Sequence, residues 1–555
     1  MDGMGISGNV SLDMSVSNIA GISKYDELSD KPKINGVEVS GSKTLADYGI
    51  AENYEALSDK PKINNIEVSG SKSLNDYGIA SIDDILSINK QVGVYENVSE
   101  MISDINVKKY SLALTKHFYD DSDNGGSIYA IVDSATANAY DTFSLHDGRF
   151  AKFVGPLSMF VVDCFGARSD DDTIDNAPII NYVLSTYKIA KLFGHYHIGT
   201  CVKVGLGQTL TTDGYYGNSY AYMHKESDSA NTINSFAKFG GVLYTDDSFS
   251  DSQMVLVNDG SISKILVTNV SASPTHIYVP SFNGIVVYVN NGIASCYCHH
   301  IAASGCNVGI DFYNITGFQA SNFIGSACIT GIRIIASDCK LSKIEANTNI
   351  HMAPTITPAS SNGGYSSTLT GIFIIGGDNQ FSDIRAEWCY YGIDVACYGN
   401  HFTNVLIDWC DIGIKYVPNI SERNSQDLWS CVAAFVRTYY VDCHDYQGTN
   451  RIFMTGCSFQ TSDGSAHFVE SGENVKPTGT PLYIYPSQDT GFEFTITSSD
   501  LSKATTANYG NYQDVISYNP YSYSSITNCK LKNAIDGNVT AHINFVGCYT
   551  NVTKS

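Results

Sequence analysis

Three stretches hold all three tryptophans of the 555-residue chain, and each sets an acid just before the indole: Glu387-Trp388-Cys389, Asp408-Trp409-Cys410 and Asp427-Leu428-Trp429-Ser430-Cys431. Glu387 and Asp408 are 21 positions apart, as are Cys389, Cys410 and Cys431 in turn. If the chain coils with that period, the two carboxylates meet about one strand spacing apart, roughly 4.8 Å. That approaches the ~5–5.5 Å of a retaining glycosidase pair and falls short of the ~6.5–9.5 Å of an inverting one. Like charges that close raise one pKa, leaving a general acid beside a carboxylate. Tryptophan faces suit the apolar C–H faces of sugar rings. The catalytic pair expected is therefore Glu387 and Asp408, with Trp388, Trp409, Trp429, Asp427 and Arg385 as substrate-binding residues. Glu345, Asp383, Asp411 and Glu422 are weaker candidates. The bland alternative is a row of solvent-facing acids at bends, with tryptophans packed between chains.

The element that must position them is a coil. Cys-x-x-Gly-Ile occurs four times, at Cys306, Cys328, Cys389 and Cys410, and Gly284 and Gly371 open related stretches. The Gly-to-Gly steps are 25, 22, 40, 21 and 21, the 40 being two rungs or one rung plus a loop over 347–368. A second pattern precedes two of the cysteines, Phe381-x-x-Ile384-x-Ala386 and Phe402-x-x-Val405-x-Ile407. A period of 21–25 with short alternating segments and no helical pattern is a β-solenoid signature, with Phe, Ile and Cys in interior ladders. The leucine-rich consensus of similar period is absent. This register stacks Asp394 under Lys415 and Asp311 near Arg333, as exposed pairs worth little. The stretches 453–459, 526–531 and 543–548 read as further, looser rungs.

Other constellations carry less. His299-His300 beside Cys296 and Cys298 suggests a metal cluster, but alternation sends neighbouring residues to opposite faces, so core thiols with flanking histidines are expected. The acidic run from Asp120 fails the calcium-loop register, because its twelfth place is Ile131. Nucleophile-elbow, phosphate-loop and zinc-protease motifs are absent. No metal and no cofactor are expected.

Composition sets the class. Charged residues are 16% and aromatic residues 12%, with 37 Tyr and 48 Gly, which excludes a disordered chain and favours β-structure. A net charge of −23 argues against nucleic acid as a partner. No apolar stretch approaches a membrane span, and the start lacks a secretory signal. The 15 cysteines, all at or beyond Cys164, read as reduced apolar fillers.

Tyr25–Ile50 and Tyr54–Ile79 are near-copies, differing at 6 of 26 positions. Each holds one short alternating stretch, such as Ile34 to Val39, and too few apolar groups to enclose a core in one chain. Residues 94–105 predict a short amphipathic helix opening near Asn97 or Ser99, and 118–133 a strand, a tight turn and a strand. Val161–Phe165 predicts a strand, and a helix is expected from about Asp175 to Tyr187, capped by Asp175 or Asn176.

The repeats (LSDKPKINGVEVSG, KTLADYGI) resemble those of phage tail fibres and spikes. Asp163, Phe165, Gly166, Ala167, Asp170, Asp172, Thr173, Asp175 and Ala177 resemble the opening of the pectate-lyase-like superfamily, with departures at Ser169 and at FGHYHI (193–198). The resemblance implies a bacteriophage tail spike or fibre, mainly β, with a right-handed parallel β-helix that is commonly homotrimeric. It implies tail-fibre repeats over 1–90 for virion attachment, a small α+β connector over 91–158, the β-helix over 159–440 and less regular C-terminal rungs over 441–555. The partners implied are two further copies, tail or baseplate proteins at the N-terminus, and a bacterial surface polysaccharide. The function implied is adsorption to the host with depolymerisation, glycoside hydrolysis ahead of lyase chemistry. A non-catalytic receptor-binding fibre and an exported bacterial polysaccharide lyase are the alternatives.

Overall fold

A computed structural model describes residues 30–49, 62–63, 66–67, 92–107, 111–121, 125–155, 161–212, 241–269, 281–289, 297–347, 369–387, 389–397, 399–416, 426–442, 451–461, 483–484, 493–503, 516–517, 524–531 and 543–550. The chain divides into two units, 1–91 and 92–555.

In the first unit, the stretch read as one alternating segment is a minimal hairpin. Lys33–Ile34 pairs antiparallel with Val37–Glu38. Asn35 and Gly36 both take positive φ, 48° and 79°, the turn that matches strand twist. The second repeat forms the same pair, Lys62–Ile63 with Ile66–Glu67. Tyr48 is buried against the first hairpin, its hydroxyl accepting from the Ser40 amide at 2.7 Å.

The second unit opens with a five-stranded sheet and the expected short helix, Val98–Ser103, whose first turn is capped by Asn97 accepting from the Glu100 amide at 2.8 Å. Val162–Phe165 is a 3-10 turn rather than the strand expected, because Gly166 reverses the chain at φ 95°. The helix Ala177–Tyr187 follows, and Asp175 accepts the Ala177 amide at 3.0 Å. Asn176, fully buried, instead ties the cap to the first coil through the Arg168 and His197 backbone. No helix among the described residues is long and apolar enough to cross a membrane.

From Ile189 onward, 29 strands among the described residues join one continuous parallel stack, each pairing with its equivalent in a neighbouring rung. The stack is a parallel β-helix. A rung such as Val308–Ser326 bends at left-handed residues, and these bends recur in register. One column comprises Lys264, His300, Asn322, Lys343, Asp383, Asn404 and Cys431, all with φ between 54° and 64°. Side chains that can hydrogen-bond locally tolerate this conformation best, and Asn404 donates to Asp383 one rung below at 2.7 Å.

The Gly-Ile register read from the sequence is continuous in space: Ile285, Ile310, Ile332, Ile372, Ile393 and Ile414 are successive partners. The step of 40 is therefore one rung plus a loop. At Gly371 a Cβ would lie 2.6 Å from the carbonyl oxygen of Gly392, so only glycine lets the rungs close at that column. Apolar stacking fills the interior, and the Phe381, Phe402 and Trp429 rings lie 5.1 and 3.7 Å apart at 18° and 10°.

Two expectations are corrected here. Cys389 and Cys410 are buried neighbours, but Cys431 is exposed at the left-handed bend. Phe402 pairs with Trp429, 27 residues on, whereas Phe381 pairs with Phe402, 21 residues on. The longer coil moves Cys431 out of the interior column. The Asp311–Arg333 pair forms as expected, but Asp311 is buried, so it is not a surface ladder. His300 occupies a bend while His299 bonds Ser321 at 2.7 Å, so the two imidazoles serve separate positions.

Candidate functional site

The strands Lys340–Asn347, Gln380–Glu387 and His401–Tyr416 carry the site. Between the polar residues of each rung stands an inward residue, Ala346, Ala386 or Ile407, fully buried in the core. Alternation sends their neighbours to the outer side. Two outer columns result. One runs Ser326, Asn347, Glu387, Asp408, and the other Ile324, Glu345, Arg385, Leu406. Below them on the same side lies a separate apolar cluster of Val242, Tyr244, Leu266, Ala302 and Ile324.

The register thus places Glu387 directly beside Asp408 on adjacent rungs. Glu387 is not a solvent-facing residue: it is 1% exposed, while Asp408 is half-buried. Arg385, two residues earlier on the same strand, directs Nε and Nη2 to Oε1 of Glu387. The other oxygen, Oε2, is buried with no hydrogen-bond partner. A buried carboxylate with an unsatisfied oxygen is costly, and protonation relieves the cost. Desolvation accordingly pushes the Glu387 carboxyl up to about 7, against the pull of Arg385 and with help from the Asp408 and Glu345 charges. Glu345 is also raised by burial, with Arg385 opposing. Ser326 Oγ, two rungs below Glu387, is likewise buried without a partner.

Two residues expected to bind substrate are elsewhere. Trp429 is an interior residue, 1% exposed, stacked on Phe402 and donating its indole N–H to the Tyr416 hydroxyl. Asp427 is equally buried and ends an asparagine ladder. The Cys339 amide bonds Asn379 at 3.0 Å, the Asn379 amide group bonds Asn400 at 3.0 Å, and the Asn400 backbone N–H bonds Asp427 at 2.7 Å. Burial pushes Asp427 up to about 7, while Asn400, Gly399 and Tyr416 donate to it and pull it down. Neither residue reaches the outer columns. The cause is again the 27-residue coil, which turns Asp427-Leu-Trp429 out of register with the two preceding acid-tryptophan pairs. Trp388 lies outside the described residues, and Trp409 follows Asp408 in its strand. Arg385 stands beside Glu387, where it holds the acid. Asn347 and Ser326 were not singled out by the sequence, because the step of 40 hid their place under Glu387.

Among the described residues no cluster of His, Cys, Asp and Glu is arranged to hold a metal ion. The arrangement can hold a proton on Glu387 near neutral pH beside a second carboxylate, which is the equipment for acid-assisted cleavage.

No family model matches the chain, and no curated protein does. Solved structures do. Tailspike protein 2 of Escherichia coli O157:H7 bacteriophage CAB120 is 12% identical over 75% of this chain and 54% of its own, with a TM-score of 0.51. The gp49 tailspike of Acinetobacter baumannii bacteriophage Fri1, described as a capsular polysaccharide depolymerase, is 10% identical over 82% and 75%, with a TM-score of 0.45. The Dettilon tailspike gp208 is 12% identical over 71% and 70%, also at 0.45. The chain spans about half the length of the first of these. What it shares with that tailspike is the parallel β-helix fold.

Proposed function

We propose that the chain is a bacteriophage tailspike that binds and hydrolyses a polysaccharide of the bacterial surface, with Glu387 as general acid and Asp408 as the second carboxylate. The carrying observation is Glu387 itself: a buried carboxyl held near 7, with one oxygen free and an acid beside it on the next rung. In this reading protonated Glu387 gives its proton to the glycosidic oxygen as the bond to the anomeric carbon breaks. Asp408 attacks that carbon, and water later releases the sugar with Glu387 as base. One rung of separation favours this retaining route over an inverting one, which needs room for water. Trp388 and Trp409 supply stacking faces for the flanking sugars. Uronate lyase chemistry would call for cations free to neutralise a sugar carboxylate, and Arg385 is committed to Glu387. The fold shared with a tailspike supports assignment to the phage tail at the host surface, the hairpin repeats to attachment there, and assembly as a homotrimer.

The test is incubation with host capsule or O-antigen. Falling chain length that disappears in Asp408→Asn supports hydrolysis, and retained anomeric configuration by NMR supports the attack by Asp408. Binding with unchanged chain length would make the protein an adhesive fibre, and absorbance from an unsaturated uronate would make it a lyase.

A further inference from the structure

Glu345 has no part in the scheme above, yet it stands one rung below Arg385 as its direct register partner. Arg385 in turn holds Oε1 of Glu387 and leaves Oε2 free. A guanidinium has a fork of donors that fits both oxygens of one carboxylate. Something must keep Arg385 from closing on both oxygens of Glu387, which would favour the ionised form and remove the proton. The charged groups around Glu387 are few among the described residues. They are Arg385 on its own strand, Asp408 on the strand above and Glu345 on the strand below.

We infer that Glu345 is a positioning residue: it draws Arg385 toward the lower rung, so that the guanidinium anchors one oxygen of Glu387 while the other keeps its proton. This rests on the reading of Glu387 as the acid, but the geometry that carries it is independent of any sugar. The register, the single-oxygen contact and the unpartnered buried oxygen all belong to the protein alone. Glu345 and Arg385 attract, so Glu345 competes with Glu387 for one cation. Removing the Glu345 charge acts twice in the same direction. It takes away a negative neighbour of Glu387 and frees Arg385 to pair with it fully, and both changes lower the pH at which Glu387 ionises.

The experiment is an infrared titration of the full chain between pH 4 and 9, following the protonated-carboxyl band that Glu387→Gln abolishes. In the wild type that band is expected to titrate near 7. In Glu345→Gln the midpoint moves to lower pH, and Glu345→Asp restores it in part. Glu345→Ala covers the case in which Glu345→Gln does not fold, and in an Arg385→Gln background the loss of Glu345 should move the midpoint less, because no cation is left to reposition. A midpoint unchanged when Glu345 alone is neutralised, or a shift of the same size with and without Arg385, overturns the inference, as does the lack of any Glu387 band near neutrality. Polymer shortening followed in the same samples separates the two ideas. Shifted titration without shortening by the wild type defeats the hydrolase reading and keeps the positioning role. With shortening present, the limb of the pH profile for kcat is expected to move with the band.

Discussion

Glu387 and Asp427 are both about 1% exposed and both carry a carboxyl raised to about 7 by burial, yet the proposed acid is sparsely partnered and the other is a rivet. Asp427 ends the asparagine ladder and takes hydrogen bonds from the Asn400 and Gly399 amides and from Tyr416, which is itself tied to Trp429. Glu387 has a single ionic partner on one oxygen and none on the other. A shifted pKa therefore does not by itself mark a site. What distinguishes the two is how many protein partners each carboxyl has.

The largest expected effect separates them by activity. Glu387→Gln should lower the rate of polymer shortening by ~10²–10⁴-fold, the usual value of a general acid. Asp427→Asn should leave the rate close to wild type, and an equal loss in both would collapse the distinction. Stability should separate them the other way. Trp429→Ala removes the indole stacked on Phe402 and bonded to Tyr416 in the Asp427 network, and should cost about 3–5 kcal/mol in denaturant unfolding.

Titration then tests what the two share. Each carboxyl has its folded pKa raised above the unfolded value, so each contributes stability that is fully present below about 4 and lost as pH rises through about 7. Between pH 5 and 7 the unfolding free energy should fall by about 1.4 kcal/mol per pH unit for each group. Calorimetry of Asp427→Asn and Glu387→Gln should each show one such slope removed. The smallest effect belongs to neither region. Lys415→Ala removes the cation that lies 4.2 Å over the Tyr391 ring and beside Asp394, and should shift stability by under about 1 kcal/mol.

How far the sequence could be read follows from where the coil keeps its length. Over Phe381 to Cys410 the rung is 21 residues, and the Gly-Ile, Phe-x-x-Ile and Glu387–Asp408 registers all follow from simple counting. Beyond Tyr416 the rung lengthens to 27, and the same counting misplaces Asp427, Trp429 and Cys431 at once. Asp427-Leu428-Trp429 differs from the two preceding acid-tryptophan pairs by one intervening residue, and spacing alone does not say which face a residue takes. The burial of Glu387 was hidden too, because strand alternation assigns a side but not what covers it. The one-oxygen contact from Arg385 depends on rotamers that no periodicity encodes.

The varying step between rungs has a consequence of its own. Residues 40 apart still meet as partners when the excess is spliced in at a bend, as Ile332 and Ile372 do, because each coil touches only the one before and the one after. Closing a longer excursion adds little entropy cost. The axial stack thus behaves as a spindle on which inserted segments can be exchanged while the column of Glu387 and Asp408 stays threaded in line.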